Sequence, residues 1–97
     1  MTITRKLENG TLTLIVEGRI DTLTAPEFEA ELVFDGVKEL VVDLAGVEYI
    51  SSAGLRLLVK SHKELSQAGG AMKIANVRPI VREVFDITGF SERFTFV

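Results

Sequence analysis

The sequence predicts an α/β fold in which three helices pack against a mixed, mostly parallel sheet of about five strands. Two observations support this prediction. From residue 20 onward, strand-like and helix-like hydrophobic patterns alternate, and strand–helix–strand connections of that kind build parallel sheets. Before that point, two alternating segments flank Asn9-Gly10, a pair that tolerates the positive φ angles of a tight hairpin turn. We expect this hairpin to add one antiparallel edge.

Three segments have the residue patterns of the first three strands. Polar and apolar residues alternate over residues 2–7 and again over residues 12–16, as they do in half-buried strands. We expect Gly18 to end the second strand and residues 18–23 to form a loop. The third segment, residues 40–44, is almost continuously apolar, which predicts a central strand covered on both faces.

A capping box predicts where the first helix begins. Thr24 and Glu27 are three residues apart, the spacing at which both side chains accept hydrogen bonds from backbone N–H groups of the first turn. Pro26 fits that turn, because its missing N–H leaves no partner unsatisfied. We expect a short helix that ends at Gly36. Its buried stripe is predicted to contain Phe28, Leu32 and Val33.

The second half of the chain predicts a helix, a strand, a helix and an edge strand. The first of these helices follows the stretch YISSAGL at residues 49–55 and ends at residues 68–70. Its apolar stripe comprises Leu55, Leu58, Val59, His62 and Leu65. A strand over residues 72–77, a helix over residues 79–88 and an edge strand over residues 93–97 follow. The buried residues of that last helix are predicted to be Ile80, Val81, Val84 and Phe85.

Composition and charge exclude several classes of function. The 97 residues are 46% hydrophobic, which suits one core and one domain over residues 1–97. A formal charge of −3 without a basic cluster gives no reason to bind nucleic acid or an anionic membrane. The sequence has no cysteine for disulfides or thiolate metal sites, and no apolar run long enough to span a bilayer. We therefore expect a cytoplasmic domain with no cofactor, no metal and no direct membrane insertion.

The adjacent serines Ser51 and Ser52 are the main candidates for a functional site. At a helix start a serine can act as an N-cap, which contributes about 1 kcal/mol, and a serine there can also carry a phosphate. A catalytic nucleophile is disfavoured, because Ile50 stands where a nucleophile elbow needs glycine. His62 lies about 15 Å along the helix from Ser52, too far to act as its base, and we expect it to be partly buried. The residues alone leave cap and phosphorylation site open and do not predict an enzyme.

The predicted topology brings two loops to one end of the sheet. Loops that follow parallel strands lie at the carboxyl ends of those strands, where α/β folds usually keep their sites. If the strands before residues 18–24 and 46–54 are neighbours, Asp21 comes close to the two serines.

Three segments, taken together, resemble one family. They are D-L-x-x-V-x-x-I-x-S-x-G-L from Asp43, G-x-I-D-x-x-T-A from Gly18 and V-x-x-V-F-x-x-x-G-F from Val81. Over nearly the whole chain the sequence resembles a STAS domain of the bacterial anti-sigma factor antagonist type. The resemblance implies the STAS fold for the predicted sheet and helices.

The resemblance also implies a cytoplasmic switch in transcription regulation. In this family the unphosphorylated antagonist binds an anti-sigma factor, which is also a serine kinase, and thereby releases a sigma factor. The kinase uses ATP to phosphorylate a serine at the start of the second helix, and the complex dissociates. A metal-dependent serine phosphatase removes the phosphate. Such an antagonist is a binding protein and not an enzyme.

Individual residues follow from the family motif. Aligned through Gly54 and Leu55, the acceptor serine corresponds to Ser52, and the family's loop aspartate corresponds to Asp21. The motif's acidic residue is replaced here by Ser51, which is the second candidate acceptor. The partner-binding residues that the resemblance implies are Asp21, Thr22, Ser51, Ser52, Ala53, Gly54, Leu55 and Arg56.

One alternative comes from the same resemblance. STAS domains also serve as small cytoplasmic components of other assemblies, including lipid-transport ABC systems, without obligatory phosphorylation. The alternative prediction is therefore a non-switching STAS subunit of such a complex.

Overall fold

The computed structural model describes residues 1–97 and contains five strands, three α-helices and one short 3-10 helix. The strands are β1 (Thr2–Glu8), β2 (Thr11–Ile20), β3 (Glu39–Ile50), β4 (Ala71–Ala75) and β5 (Thr95–Phe96). The helices are α1 (Ala25–Glu31), α2 (Ser52–Gln67) and α3 (Pro79–Thr88), and the 3-10 helix spans Ser91–Arg93. No helix has both the length and the apolar character needed to cross a membrane.

The strands form one sheet in the order β1-β2-β3-β4-β5. β1 pairs with β2 in antiparallel orientation, whereas the other neighbouring pairs are parallel. The turn between β1 and β2 uses Asn9 and Gly10 at φ angles of 51° and 83°, as the hairpin requires. The predicted mixed sheet, with an N-terminal hairpin and three helices, is confirmed.

All three helices cover the same face of the sheet. The spatial order of the strands follows the chain, so each right-handed crossover steps in one direction and leaves its helix on one side. On that side the strands and helices share a single core, which includes Leu12, Leu14, Phe28, Leu40, Val42, Leu58, Ile74 and Phe85. On the other face Val41 and Asp43 are only half-buried. The prediction that residues 40–44 are covered on both faces is wrong, because Val41 continues the apolar run on the open face, between Thr13 and Lys73.

β2 and β3 are longer than predicted, because they continue to pair beyond Gly18. This glycine does not end β2. Gly18, with a φ of 107°, pairs with Val47, and Arg19 pairs with Tyr49. The register shift at this point is therefore a β-bulge whose extra residue, Glu48, belongs to β3. Pairing then resumes and runs to Ile20, which lies opposite Ile50. Residues 46–50, predicted as part of a loop, therefore belong to β3.

α1 is shorter than predicted and ends well before Gly36. Phe28 is buried as expected, but Val33 is 51% exposed. The chain has left the helix by Leu32, and Leu32 and Phe34 pack against the core. Val33, between these two packed side chains, faces solvent.

The buried stripe of α3 is narrower than predicted. Val81 and Phe85 are buried and Val84 is half-buried, whereas Ile80 is 64% exposed. Val81 and Phe85 lie one turn apart and both face the sheet. Ile80 lies about 100° around the helix from Val81 and points away from the core.

Both final strands are also shorter than predicted. β4 ends before Asn76, whose left-handed φ of 55° turns the chain toward α3. Residues 91–93 form the 3-10 helix, so that β5 is a two-residue strand at the edge of the sheet. His62 is half-buried, as expected, and packs edge-on against Phe94 with 5.5 Å between ring centroids.

Gly54 allows α2 to lie directly against the ends of β2 and β3. A Cβ atom at this position would lie 2.5 Å from Ile20 Cγ2 and 3.0 Å from Ile50 Cγ1. Both isoleucines are buried in the core and have no space into which to move. The position of α2 on the sheet therefore depends on the missing side chain.

We expect Gly54→Ala to destabilise the protein, although alanine is the better helix former. The added methyl group overpacks the contact with Ile20, a change that costs about 1–3 kcal/mol. Thermal unfolding followed by circular dichroism measures the effect as a lower midpoint. Ser66→Ala, at an exposed position of the same helix, is the control and should not lower the midpoint. A Gly54→Ala protein as stable as the wild type would contradict the close contact.

Candidate functional site

The carboxyl ends of β2 and β3 bring two loops together. Ile20 pairs with Ile50, and the Ser51 N–H donates a hydrogen bond of 2.8 Å to the Ile20 carbonyl oxygen. The loop that begins at Asp21 therefore lies beside the start of α2, as the topology predicted. We call the surface formed by residues 19–24 and 49–56 the loop surface.

Asp21 holds its own loop in shape. Its Oδ1 atom accepts hydrogen bonds from the N–H groups of Leu23 and Thr24, at 3.0 and 3.1 Å. The Thr24 hydroxyl accepts a bond of 2.9 Å from the Asp21 N–H and donates one of 2.8 Å to the Arg19 carbonyl oxygen. The loop is therefore held by its own hydrogen bonds, without contributions from a partner.

The predicted capping box is absent. Thr24 is the N-cap residue of α1, but its side chain makes no capping hydrogen bond, and its backbone is already helical at φ −93° and ψ −16°. The hydroxyl bonds to Asp21 and Arg19 instead. The prediction fails because the Asp21 N–H and the Arg19 carbonyl oxygen are competing hydrogen-bond partners for the Thr24 hydroxyl.

These contacts favour the ionised form of Asp21. The hydrogen bond from the Thr24 N–H is the main reason that the pKa of the Asp21 carboxyl lies below its usual value. The Leu23 N–H, the Thr24 hydroxyl and the Arg19 guanidinium lower the pKa further, and partial desolvation opposes them. Arg19 Nε lies 3.7 Å from Asp21 Oδ2, and the same guanidinium lies over the Tyr49 ring at 4.3 Å.

The two adjacent serines have different roles in the structure. Ser51 is the N-cap of α2, with an extended backbone, and its hydroxyl accepts a hydrogen bond of 3.2 Å from the Gly54 N–H. Ser52 is the first helical residue, and its side chain is exposed. The Ser51 hydroxyl therefore provides the acceptor for a free N–H group at the helix N-terminus. The Ser52 hydroxyl remains accessible at the positive end of the helix dipole.

Arg56 is a free cation one turn after Ser52. It is exposed and takes part in none of the ion pairs of the structure. It lies between two grooves, one shared with Thr22 and Ala53 on the α1 side and one shared with Ser52 and Leu55 on the α3 side. The predicted partner-binding residues are thus brought together around the first turns of α2, with Gly54 and Leu55 buried beneath the others.

Sequence reasoning missed three side chains of the loop surface. Leu23 is 88% exposed and Tyr49 is 40% exposed, and Arg19 links Tyr49 to Asp21. For Leu23 the sequence did contain a signal. It is a large apolar residue inside a short polar loop, where it has no core to enter, and it is the most exposed of the large apolar side chains.

The site contains no arrangement for nucleophilic catalysis. His62 contacts Phe94 and lines a groove with Lys63 and Arg93, which Ser52 does not line. No three His, Cys, Asp or Glu side chains lie close enough together to hold a metal ion. The local chemistry is that of a binding surface with an accessible hydroxyl.

The chain matches the family model of the STAS domain over residues 2–97. A curated relative from Bordetella bronchiseptica, described as the putative anti-sigma factor antagonist BtrV, is 38% identical over 97% of this chain and 84% of its own length. The anti-sigma-B factor antagonist of Staphylococcus epidermidis is 38% identical over 79% of this chain and 74% of its own length.

Solved structures show the same fold. An anti-sigma factor antagonist from Mycobacterium paratuberculosis superposes with a TM-score of 0.86 at 30% identity, over 98% of this chain and 83% of that one. The unphosphorylated form of the anti-sigma factor antagonist SpoIIAA superposes with a TM-score of 0.84, over 99% of this chain and 88% of that one. At 18% identity, the second similarity concerns the fold alone.

We expect alanine substitutions to separate the two serines by their effect on stability. Ser51→Ala removes the N-cap bond to Gly54 and should cost about 1 kcal/mol. Ser52→Ala removes an exposed hydroxyl and should change the free energy of unfolding by less than about 0.5 kcal/mol. Urea unfolding of the two variants measures the difference. Equal destabilisation by both substitutions would contradict the assignment of Ser51 as the cap.

The pH dependence of the Asp21 loop follows from the lowered pKa. Ionised Asp21 stabilises the folded loop above the ordinary pKa of 3.8, and this contribution is lost as the pH falls through the lower folded-state pKa. Thr24→Val removes the hydroxyl that bonds both Asp21 and Arg19, so the Asp21 pKa should move up toward 3.8. NMR titration of the Asp21 carboxyl measures the shift. An unchanged pKa in this variant would rule out a role for the hydroxyl.

Proposed function

The chain belongs to the STAS domain family and is of the anti-sigma factor antagonist type, and on this premise we propose that it acts by partner switching. In this proposal the unphosphorylated protein binds an anti-sigma factor that is also a serine kinase, and phosphorylation of Ser52 releases it. The chain is a binding protein and not an enzyme. Residues 1–97 act as one domain in the cytoplasm, where both ATP and the transcription machinery are present.

The accessibility of Ser52 is the observation that carries this proposal. Ser51 caps α2 through Gly54, so a phosphate on Ser52 removes no hydrogen bond that the fold needs. Ser51 is the weaker candidate acceptor, because its modification would replace the capping hydroxyl. The division of roles between the two serines thus favours Ser52.

The surroundings of Ser52 suit a phosphate. A phosphoserine carries a charge of about −1.5 to −2 near neutral pH, and the N-terminus of the 16-residue α2 offers a positive dipole end. Arg56 lies four residues further on the same helix and has no competing ion partner. The modified form is therefore compatible with the fold, and its effect falls on the partner.

The partner-binding surface in this proposal is the loop surface. Its members from the family motif are Asp21, Thr22, Ser51, Ser52, Ala53, Gly54, Leu55 and Arg56. Leu23 adds an exposed apolar anchor, and the rigid, ionised Asp21 adds a negative charge beside the acceptor. A phosphate on Ser52 would bring a second negative charge to the same surface and would repel acidic groups of a partner that dock beside Ser52.

Two further expectations belong to the same proposal. A metal-dependent serine phosphatase removes the phosphate and restores binding. SpoIIAA, which shares this fold, has structures in unphosphorylated and phosphorylated forms, which supports a fold that accommodates both states. The alternative of a non-switching subunit has less support, because the two curated relatives reported above are described as anti-sigma factor antagonists.

We expect the wild-type protein to gain one phosphate when it is incubated with the anti-sigma factor kinase of its source organism, Mg²⁺ and ATP. Intact-mass spectrometry measures the product. Ser52→Ala should gain none, whereas Ser51→Ala should still be phosphorylated. No phosphate on the wild type, or equal phosphorylation of Ser52→Ala, would overturn the assignment.

The switch itself is tested by binding. We expect Ser52→Ala to bind the kinase as tightly as the unphosphorylated wild type, and Ser52→Asp to bind at least about tenfold more weakly, a loss of about 1.4 kcal/mol. Isothermal titration calorimetry measures both affinities. Thr4→Asp, with the same added charge at an exposed position of β1 away from the loop surface and from α2, is the control for the charge alone. Equal affinities of Ser52→Ala and Ser52→Asp would contradict an electrostatic switch.

A further inference from the structure

A groove runs along the α3 side of α2 and starts at Ser52. Its first part, of about 210 Å³, lies between the first turns of α2 and Phe90. Its second part, of about 500 Å³, lies between the last turns of α2 and Phe94. Val59 lines both parts, and the Arg93 guanidinium of the second part lies 5.3 Å from the centroid of the Phe90 ring. We call these two adjoining parts together the α2–α3 groove.

The groove has an apolar floor, and an apolar stripe of α3 lies beside it. The floor is formed by Leu55, Val59, Phe90 and Phe94. Beside it, α3 exposes Ile80 at 64% and Ile87 at 78%. Together with Val84 these residues recur at helical spacing, in a stripe next to Thr88, which lines the groove. Ile80 and Ile87 do not pack in the core, and a partner that covered them would bury their apolar surface.

The rim of the groove is basic. Arg56, Lys63 and Arg93 line it, all three are exposed, and none of them forms an ion pair within the chain. No Asp or Glu side chain lines either part of the groove. In a protein with a net charge of −3, this is a local excess of positive charge.

We propose that the α2–α3 groove binds an amphipathic helix of the anti-sigma factor, with apolar residues on the floor and Asp or Glu residues against the rim. The inference rests on the proposed function, because it concerns the same partner. From Ser52 to Ser66 the axis of α2 rises about 21 Å, which matches a partner helix of about four turns. Small-molecule pockets enclose most of their ligand, whereas this groove is open to solvent along its length.

The position of Ser52 at one end of the groove links this surface to the switch. A phosphate on Ser52 would pair with Arg56 and remove that cation from the rim. The same phosphate would place negative charge where the first acidic residue of the partner helix docks. Release of the partner then follows from charge alone, without a change in the fold.

The test reverses charges far from Ser52. Lys63→Glu/Arg93→Glu should weaken binding of the anti-sigma factor kinase by at least about tenfold, because like charges then face each other across the groove. Lys6→Glu/Lys38→Glu carries the same charge change on exposed positions outside the groove and should leave the affinity unchanged. Isothermal titration calorimetry measures the affinities, and circular dichroism checks that each variant is folded. If the double variant is unfolded, Lys63→Glu alone replaces it, with Lys6→Glu as its control.

A charge-swap experiment identifies the occupant. Hydrogen exchange of the kinase, with and without the antagonist, locates the partner segment that becomes protected. We expect a helix with acidic residues on its flanks, and Glu→Lys substitutions there should restore binding to Lys63→Glu/Arg93→Glu. A protected segment without acidic residues, or a failure of the swap to restore binding, would overturn the inference. A self-associating antagonist that Lys63→Glu/Arg93→Glu makes monomeric in sedimentation would assign the groove to a second copy instead.

The outcomes separate this inference from the proposed function. If the wild type binds no anti-sigma factor, the proposed function is wrong, and the assignment of the groove to that partner is wrong as well. If the wild type binds and Ser52→Asp does not, but Lys63→Glu/Arg93→Glu binds like the wild type, the switch stands and only the groove assignment fails.

Discussion

The hydrogen bond from the Ser51 N–H to the Ile20 carbonyl oxygen is the contact on which the rest of the site depends. It closes the pairing of β2 and β3 at their carboxyl ends and determines where the strand stops and α2 begins. Gly54 then seats the helix against Ile20 and Ile50. Since side chains alternate along a strand, a slip of one residue would turn Ile50 out of the core. The exposed position of Ser52 is therefore a consequence of strand register.

Strong periodic patterns made most of the fold predictable from the sequence. The apolar stripe of α2, from Leu55 to Leu65, spans about three turns, so the existence and direction of the helix were clear, and the Asn9-Gly10 turn identified the hairpin. Gly18 was ambiguous, because glycine suits both the end of a strand and a bulge within one. The pairing of Ile20 with Ile50, a contact between segments far apart in the sequence, shows that β2 continues past Gly18 through a register shift. The helix-to-loop boundaries after α1 and the outward turn of Ile80 likewise depend on packing that a local pattern does not contain.

The site was predictable as a location but not in its details. Motif and topology placed Asp21 beside the two serines, yet the residues alone left them interchangeable. The Ser51 N–H donates a hydrogen bond to the Ile20 carbonyl oxygen of β2, which holds Ser51 at the start of α2. The Ser51 hydroxyl accepts the hydrogen bond from the Gly54 N–H and so caps the helix. The capping box at Thr24 failed for a related reason, since Asp21 competes for the same hydroxyl. In both cases a hydrogen bond to a neighbouring segment decides which of two locally equivalent arrangements forms.

The one-sided arrangement of helices has an electrical consequence. α1 and α2 each return antiparallel to the parallel strands, so both of their N-termini point to the end of the sheet that carries the loop surface. α3 does not share this direction, since its last residue, Thr88, lines the groove beside Ser52. The dipoles of α1 and α2 add, so the end with the loop surface is positive relative to the opposite end although the whole chain is slightly acidic. A molecule polarised in this way is oriented by a charged partner before contact, which affects the rate of association. A phosphate on Ser52 adds negative charge at that end and reduces the polarisation. Phosphorylation of one side chain therefore also changes the rate at which the protein associates with its partner.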